Sequence, residues 1–231
     1  MSLERTDHWF AGLHDVLVEA YRRNGPCHDL THVLRVSLLA ERIAARELVD
    51  VDLAVLAALF HDAEHASAGD AGTDDHEVRS ARLAERELRD RLAAPDLAEV
   101  VDAIAGRRFA KRHLARRPVG AVLDDADNLD AIGLVGASRT FLWVGEHGWR
   151  QAPGDAGVAA TSGRNHEALE AHWREKLAHI AAGMRTRAGA ELAARRHAAL
   201  GAFVEGLGQE LAAIGALARR GEAAHGRAGA T

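Results

Sequence analysis

The sequence predicts an all-α protein built as a single helical bundle. Apolar residues recur every three to four positions along most of the chain, and no segment alternates with the period of two that a half-buried strand requires. Helix start signals agree with this periodicity: Asp52 stands near the start of a buried run, and Asp96 follows Pro95 and precedes Glu99 by three residues, a capping-box pattern. The predicted helices span residues 4–23, 29–48, 51–64, 75–93, 96–107, 119–130, 133–145, 165–183 and 187–214.

Length and composition favour one domain with a full hydrophobic core. The chain has 231 residues, of which 48% are hydrophobic, a length that suits a single domain. We expect the domain to occupy residues 1–215. Residues 216–231 offer little apolar surface to bury, so we expect a low-complexity, disordered tail there. Two loops are also predicted, over residues 66–74 at the mouth of the site described below and over 145–165, as a lid, a binding loop or local disorder.

Charge and hydropathy exclude several classes of protein. A net charge of −5 argues against binding to a nucleic acid polymer or a membrane surface, because both normally require a basic excess. No apolar run is long enough to span a membrane, and no basic-led apolar segment opens the chain as a signal peptide would. The single cysteine, Cys27, rules out an intramolecular disulfide. We therefore expect a cytoplasmic protein, either a monomer or a homodimer.

A histidine and an aspartate interrupt the most apolar helix of the chain. His61 and Asp62 follow an unbroken apolar run over residues 53–60. Burying two such polar groups without partners costs on the order of several kcal/mol. A bound metal ion would compensate both groups.

Two other helices carry polar residues on their apolar faces in the same way. His32 shares the stripe of Val36, Leu39 and Ile43, with spacings of four, three and four that trace one helix face. Asp127 lies one turn after Leu123 on another apolar face. A single buried histidine is usually a core residue bonded to the backbone, but two imidazoles and two carboxylates with no inward Lys or Arg favour a metal site between the helices.

The order His32, His61-Asp62, Asp127 resembles the signature of the HD superfamily of metal-dependent phosphohydrolases. The surrounding segments resemble the YedJ/YpgQ-like small bacterial HD hydrolases, over roughly residues 5 to 214. These segments are 27–36, 58–62, 125–133, 137–140, 176–177 and 184–186. The dipeptide alone would be weak evidence, since His14-Asp15 and His28-Asp29 also occur here.

The resemblance implies an enzyme that hydrolyses a phosphoester or phosphoanhydride of a small phosphorylated metabolite, a nucleotide above all. It favours a nucleoside triphosphate cut to release pyrophosphate, with a nucleoside monophosphate as the other option. The metal ligands would be His32, His61, Asp62 and Asp127, holding one divalent ion. This mixed N/O donor set favours Mn²⁺ and admits Mg²⁺, Co²⁺, Fe²⁺, Ni²⁺ or Zn²⁺; the ion would activate water for attack on phosphorus.

Phosphate groups also require cationic partners. By resemblance, Arg139 and Lys176 are the leading candidates, and Arg35, near His32, is a third. His28 would line the substrate pocket. Besides Asp62, Glu64 is a candidate catalytic residue, as a general base or a group that orients water, although Glu64 and the arginines equally fit solvated surface roles.

Other functions stay open at this stage. A dinuclear HD phosphodiesterase or oxygenase would need further ligands between Asp62 and Asp127, where His65, His76 and His113 are available in polar, loop-like surroundings. A non-catalytic nucleotide-binding sensor would keep the pocket without the metal ligands, and all four ligands are present. The chain also departs from its relatives by having Arg107 and Arg108 where many carry a His, and His65 near a position where many carry a Lys.

Overall fold

Every regular element that the structure describes is helical. The computed structural model describes residues 4–65, 76–106, 117–147 and 169–228, and the predicted all-α fold is confirmed within them. The main helices are α1 (Glu4–Tyr21), α2 (Leu30–Glu47), α3 (Val51–Phe60), α4 (His76–Leu88), α5 (Ala94–Ala105), α6 (Pro118–Asp130), α7 (Gly133–His147) and α8 (Arg187–Ala228). A helical segment over 169–183 precedes α8 and contains the π-helical turn Trp173–Leu177 and short pieces at Ala178–Ile180 and Ala181–Gly183.

Helix α3 forms the centre of the core. All its residues from Leu53 to Phe60 are buried, and the helix packs against α1, α2, α5 and α6. The Asp50 side chain caps its start by accepting a hydrogen bond from the Leu53 N–H at 3.1 Å. The helix ends at Phe60, and a turn over residues 61–64 follows. Because α3 is central, the start of this turn, with His61 and Asp62, lies in the protein interior.

Helices α2 and α6 bring their ends to the same place. The Asp29 side chain caps α2 by accepting from the His32 N–H at 2.8 Å, which holds His32 in the first helical turn. Helix α6 packs on both α2 and α3 and ends at Asp130. The N-terminal turn of α2, the turn after α3 and the last turns of α6 consequently meet.

Two buried carboxylates join helices that are distant in sequence. Glu41 on α2 accepts hydrogen bonds from the Thr6 N–H and hydroxyl at 3.0 and 2.6 Å. Asp125 on α6 is fully buried and accepts from the Thr186 N–H and hydroxyl at 2.8 and 2.7 Å. These bonds satisfy free N–H groups at the starts of α1 and α8, so both carboxylates have structural partners.

Two predicted boundaries are corrected. Helix α5 starts at Ala94 without a side-chain cap, so Pro95 and Asp96 lie in its first turn and the predicted capping box is wrong. Helix α8 continues to Ala228, beyond the predicted end at residue 214 and into the predicted tail. Its last turns are rich in alanine, the strongest helix former, and contain no proline.

Several predictions fall beyond the described residues. The loop over 66–74, His113, Arg107 and Arg108, and all of the 145–165 loop except the last turn of α7 lie outside the described ranges. No helix within those ranges is both long and apolar enough to cross a membrane.

Candidate metal centre and adjoining cavity

His32 is a buried polar group at the meeting point of the three helices. Its side chain is 1% exposed, and Nδ1 lies 2.8 Å from Oδ2 of Asp130. Its Nε2 is buried with no hydrogen-bond partner among the described residues. This nitrogen lies 3.5 Å from Oδ1 of Asp127 and 3.7 Å from Oδ2 of Asp62. The ring therefore presents Nε2 to two carboxylates.

His61 presents its outer nitrogen to the same carboxylates. Its ring is buried, and Nδ1 lies 2.7 Å from the Ala58 carbonyl oxygen, an acceptor only, so Nδ1 carries the proton and Nε2 is left as a ligand. Nε2 lies 3.5 Å from Oδ2 of Asp62 and 3.9 Å from Oδ1 of Asp127. The turn that holds the doublet is anchored by Asn24, whose amide donates to the Asp62 carbonyl at 2.8 Å.

This arrangement fits a divalent metal ion. Ligating atoms of His32, His61 and Asp127 all lie within 4.8 Å of one another, and Asp62 is in contact range of both imidazoles. Burial alone would lower the pKa of His32, but its hydrogen bond to Asp130 and the nearby carboxylates of Asp62 and Asp127 raise it above the ordinary value. The site therefore attracts a cation, which a proton or a metal ion can supply. The two nitrogen and two carboxylate donors suit a borderline divalent metal.

Asp130 was not among the site residues predicted from the sequence. This carboxylate is 1% exposed, and besides His32 it accepts two hydrogen bonds from Arg35, at 2.8 and 2.9 Å, and one from Arg139 at 3.1 Å. Burial alone would raise its pKa, but the bonds from His32 and Arg35 hold the pKa below its ordinary value. The available signal was its position three residues after Asp127, on a neighbouring part of the same helix face.

A cavity of about 400 Å³ adjoins the metal centre at His28. The His28 ring makes an edge contact with that of His32, with centroids 5.7 Å apart. The cavity lies between residues 27–28, α7 and the 169–183 segment. Its lining consists of Cys27, His28, Ala131, Gly136, Arg139, Thr140, Trp143, His172, Lys176 and Leu177.

Three of the predicted substrate-binding residues meet in this cavity and one does not. His28, Arg139 and Lys176 line it, whereas Arg35 is absent from its lining and makes its contacts with Asp130. Lys176 lies in the π-helical turn, which begins just after His172 and ends at the buried Leu177. Such turns are often found at functional sites. Burial lowers the pKa of His28 to about 3, so this residue acts as a neutral hydrogen-bonding group.

Glu64 lies on the exposed side of the turn after the doublet. Its backbone N–H donates to the Ser80 hydroxyl at 3.0 Å, and its carbonyl accepts from Arg79 at 3.0 Å. These bonds tie the turn to α4. The predicted catalytic role of its carboxylate stays a prediction.

His65 and His76 lie closer to the site than their polar sequence surroundings indicated. Nε2 of His76, at the start of α4, is 3.9 Å from Oδ1 of Asp62. The His65 ring stacks on His28 with centroids 4.0 Å apart and lies 4.6 Å from that of His76. Asp62 thus has imidazoles on both sides of its carboxylate, which only the approach of α4 to α3 reveals.

The fold and the site define an all-α protein with a candidate metal centre and an adjoining ligand-sized cavity. A family model described as HD domain matches residues 29–132, a span that includes all four candidate ligands. The chain is also 31% identical over 198 residues to the uncharacterized protein YpgQ of Bacillus subtilis, covering 82% of this chain and 87% of the relative. The chain belongs to the HD domain family, as the resemblance predicted.

Solved structures agree with this assignment. Bacillus subtilis YpgQ in complex with ADP superposes with a TM-score of 0.65 at 26% identity, covering 86% of this chain and 97% of that one. A predicted HD superfamily hydrolase from an uncultured Thermotogales bacterium superposes with a TM-score of 0.62 at 26% identity, covering 87% and 91%. The chain is therefore similar to hydrolases of the HD superfamily over most of its length.

Proposed function

We propose that this protein is a metal-dependent phosphohydrolase that acts on a small nucleotide in the cytoplasm. The observation that carries the proposal is the buried Nε2 of His32, which faces Asp62 and Asp127 beside a cavity lined by Arg139 and Lys176. A metal site next to cationic side chains suits phosphate chemistry. The proposed catalytic domain is residues 1–215.

The metal would be held by His32, His61, Asp62 and Asp127, and we favour Mn²⁺. When bound, the ion would supply a lowered pKa for its water, toward neutrality, and would polarise a phosphoryl oxygen. The protein's own contribution is geometric: hydrogen bonds from Nδ1 of each histidine, to Asp130 and to the Ala58 carbonyl, fix the direction of both Nε2 atoms.

Arg139 and Lys176 are proposed to bind the phosphates. A triphosphate carries about four negative charges, and two carboxylates formally neutralise a 2+ ion, so positive charge must come from elsewhere in the pocket. Arg139 is largely buried and its guanidinium is held by Asp130 and by the Cys27 carbonyl at 2.7 Å, while Lys176 is exposed at the cavity edge. Neutral His28, between the metal centre and Arg139, would hydrogen-bond to a phosphate oxygen.

The favoured substrate is a nucleoside triphosphate. Support comes from the similar fold of YpgQ, whose crystal structure contains ADP. In the proposed reaction the oxygen of water bonds to the α-phosphorus, the bond from that phosphorus to the α–β bridging oxygen breaks, and pyrophosphate leaves. The products are a nucleoside monophosphate and pyrophosphate, with the protons of water released to solvent.

The direct test is hydrolysis of a nucleotide panel by protein that has been stripped of metal and reloaded with Mn²⁺. In H₂¹⁸O, we expect the label in the nucleoside monophosphate and not in pyrophosphate, because attack is at the α-phosphorus. His61→Ala protein prepared identically is the control for contaminating hydrolases. Equal turnover by His61→Ala, or no turnover of any nucleotide with Mn²⁺, Mg²⁺, Co²⁺, Fe²⁺, Ni²⁺ or Zn²⁺, would contradict the proposal.

A dinuclear HD phosphodiesterase is the second candidate, favoured by the position of His76 beside Oδ1 of Asp62. In such an enzyme Asp62 would lie between two ions. Metal content separates the candidates: one ion per chain supports the first proposal. Two ions per chain, falling to one in His76→Ala, would support the second.

A further inference from the structure

We propose that Asp130 is a positioning residue that sets the metal-binding face of His32 and the orientation of Arg139 at the same time. Its carboxylate lies behind the candidate ligands and is too deeply buried to reach substrate itself. One buried side chain would thereby prepare both the metal centre and the cavity.

The first effect of Asp130 is on the metal-binding nitrogen of His32. Oδ2 of Asp130 lies 2.8 Å from Nδ1, and an ionised carboxylate can only accept, so the proton must reside on Nδ1. In the neutral ring, which is the form that binds a metal, Nε2 is thereby left unprotonated, and it is the buried nitrogen that faces Asp62 and Asp127. The hydrogen bond also fixes the plane of the ring and increases the basicity of the ligating nitrogen.

The second effect of Asp130 is on the orientation of Arg139. The same Oδ2 accepts from one terminal nitrogen of Arg139 at 3.1 Å, while the other terminal nitrogen donates to the Cys27 carbonyl at 2.7 Å. These two bonds hold the guanidinium against the cavity wall. This half of the proposal rests on the proposed function, since it assigns phosphate binding to Arg139; the His32 half depends on the metal site alone.

Arg35 contacts Asp130 and does not line the cavity. Its Nε and a terminal nitrogen bind both oxygens of Asp130, at 2.8 and 2.9 Å, and its side chain is 32% exposed. A two-point contact of this kind fixes a carboxylate more firmly than a single bond does. We assign Arg35 to holding Asp130 in place.

The chain contains a matched control for the test. Asp125 is also a fully buried carboxylate on α6, but among the described residues it bonds to the start of α8, at Thr186, and forms no hydrogen bond with the candidate ligands. Asp130→Asn and Asp125→Asn remove the same charge from the same helix. A general loss of stability should therefore appear in both variants. A change in the environment of His32 should appear only in Asp130→Asn.

The measurements are Mn²⁺ affinity and the His32 ring signals of the Zn²⁺-loaded protein. For Asp130→Asn we expect Mn²⁺ affinity to fall roughly tenfold to a hundredfold, and the exchange-protected Nδ1–H signal of His32 to move upfield or broaden. For Asp125→Asn we expect both to stay at wild-type values. Unchanged Mn²⁺ affinity and an unchanged His32 signal in folded Asp130→Asn would overturn the proposal.

A further variant covers the case in which Asp130→Asn does not fold. Arg35→Gln keeps Asp130 but removes its two-point contact at a partly exposed position, and we expect a several-fold loss of Mn²⁺ affinity; wild-type affinity there would count against the proposal. ADP binding in the presence of EDTA tests the Arg139 half, and it should weaken in Asp130→Asn and not in Asp125→Asn. If wild-type protein binds no ADP, the Arg139 half fails with the proposed function, while Mn²⁺ affinity still decides the His32 half.

Discussion

At the residue scale, the side chains of His32, His61 and Asp62 are each no more than 5% exposed, in a core built mostly from aliphatic groups. Burial of unpaired charge costs several kcal/mol or more, so such a cluster persists only when its charges are compensated. The described contacts supply part of that compensation through Asp130 and the backbone. A divalent ion between the two imidazoles and Asp127 would supply the rest.

The first prediction concerns Asp62. We expect Asp62→Ala protein to retain far less Mn²⁺ than wild type in elemental analysis, because a carboxylate in contact range of both imidazoles is lost. Asp15→Ala is a matched control: it belongs to the dipeptide His14-Asp15, and its side chain is fully exposed. Wild-type metal content in Asp62→Ala would remove Asp62 from the ligand set.

The second prediction concerns the cavity cations. Lys176→Ala and Arg139→Ala should each lower kcat/KM on a nucleoside triphosphate by roughly tenfold to a thousandfold, the scale of losing one or more charge-assisted contacts. Both variants should bind metal at saturating Mn²⁺. Arg22→Ala, which removes an exposed arginine paired with Glu19, should match wild type. Normal kinetics in both cavity variants would place the phosphate site elsewhere.

The third prediction is a pH dependence due to His28. Burial lowers its pKa to about 3 in the folded state, against about 6.5 in the unfolded chain. Below pH 6.5 the unfolded chain binds a proton that the folded protein excludes, so this residue lowers stability as the pH falls from 6.5 toward 3. We expect His28→Asn to lose less unfolding free energy than wild type between pH 7.5 and pH 5, measured in EDTA by chemical denaturation. Parallel losses in the two proteins would contradict this environment for His28.

At the element scale, the junction of α6 and α7 shapes one wall of the cavity. Gly133 has φ +80, and a Cβ on Gly136 would lie 2.2 Å from the Ala131 carbonyl oxygen. Both positions therefore require glycine, the first for its backbone conformation and the second for a close approach between α7 and the end of α6. This junction fixes the position of the first turns of α7, and Arg139 projects from α7 toward the cavity. The geometry of the junction therefore matters for the site as well as for the fold.

The fourth prediction tests this close approach. Gly136→Ala should lower the free energy of unfolding by roughly 1–3 kcal/mol, because the methyl group must displace backbone. Gly12→Ala is the control, since a Cβ on Gly12 meets nothing within 4 Å and alanine in a helix should raise stability by roughly 0.5–1 kcal/mol. Thermal or chemical unfolding of the two variants measures both changes in stability. A Gly136→Ala protein as stable as wild type would show that the junction can shift freely.

At the scale of the whole molecule, the candidate ligands come from three helices that are distant in sequence. His32 lies on α2, His61 follows α3 and Asp127 lies on α6. An ion that binds all of them joins these helices in the folded state and has no preformed site in the unfolded chain. Metal binding and folding should therefore be coupled.

The fifth prediction follows from this coupling. Mn²⁺ at a hundredfold excess over its dissociation constant should stabilise the folded protein by about 2.7 kcal/mol and raise Tm by several degrees, and EDTA should reverse the effect. His61→Ala protein should show little change in Tm on Mn²⁺ addition. Identical metal-induced shifts in wild type and His61→Ala would mean that the ion binds elsewhere.

The amino-acid sequence by itself determined the all-α class, most helix positions and the candidate metal ligands. Each of His32, His61 and Asp127 interrupts an apolar pattern within its own helix or at its end, and a break in local periodicity can be recognised without knowledge of the partner helix. The family assignment followed from the order of these breaks, and the matching family model and relative confirm it.

Only the tertiary structure decided which side chains support that centre. Asp130, Arg35 and Arg139 carry ordinary helix-surface signals, and their roles depend on how α2, α6 and α7 are packed together. The approach of His76 to Asp62 likewise depends on the packing of α4 against α3. Distances of 3 to 4 Å between side chains on different helices are set by crossing geometry and rotamers, which the periodicity of a single helix does not encode.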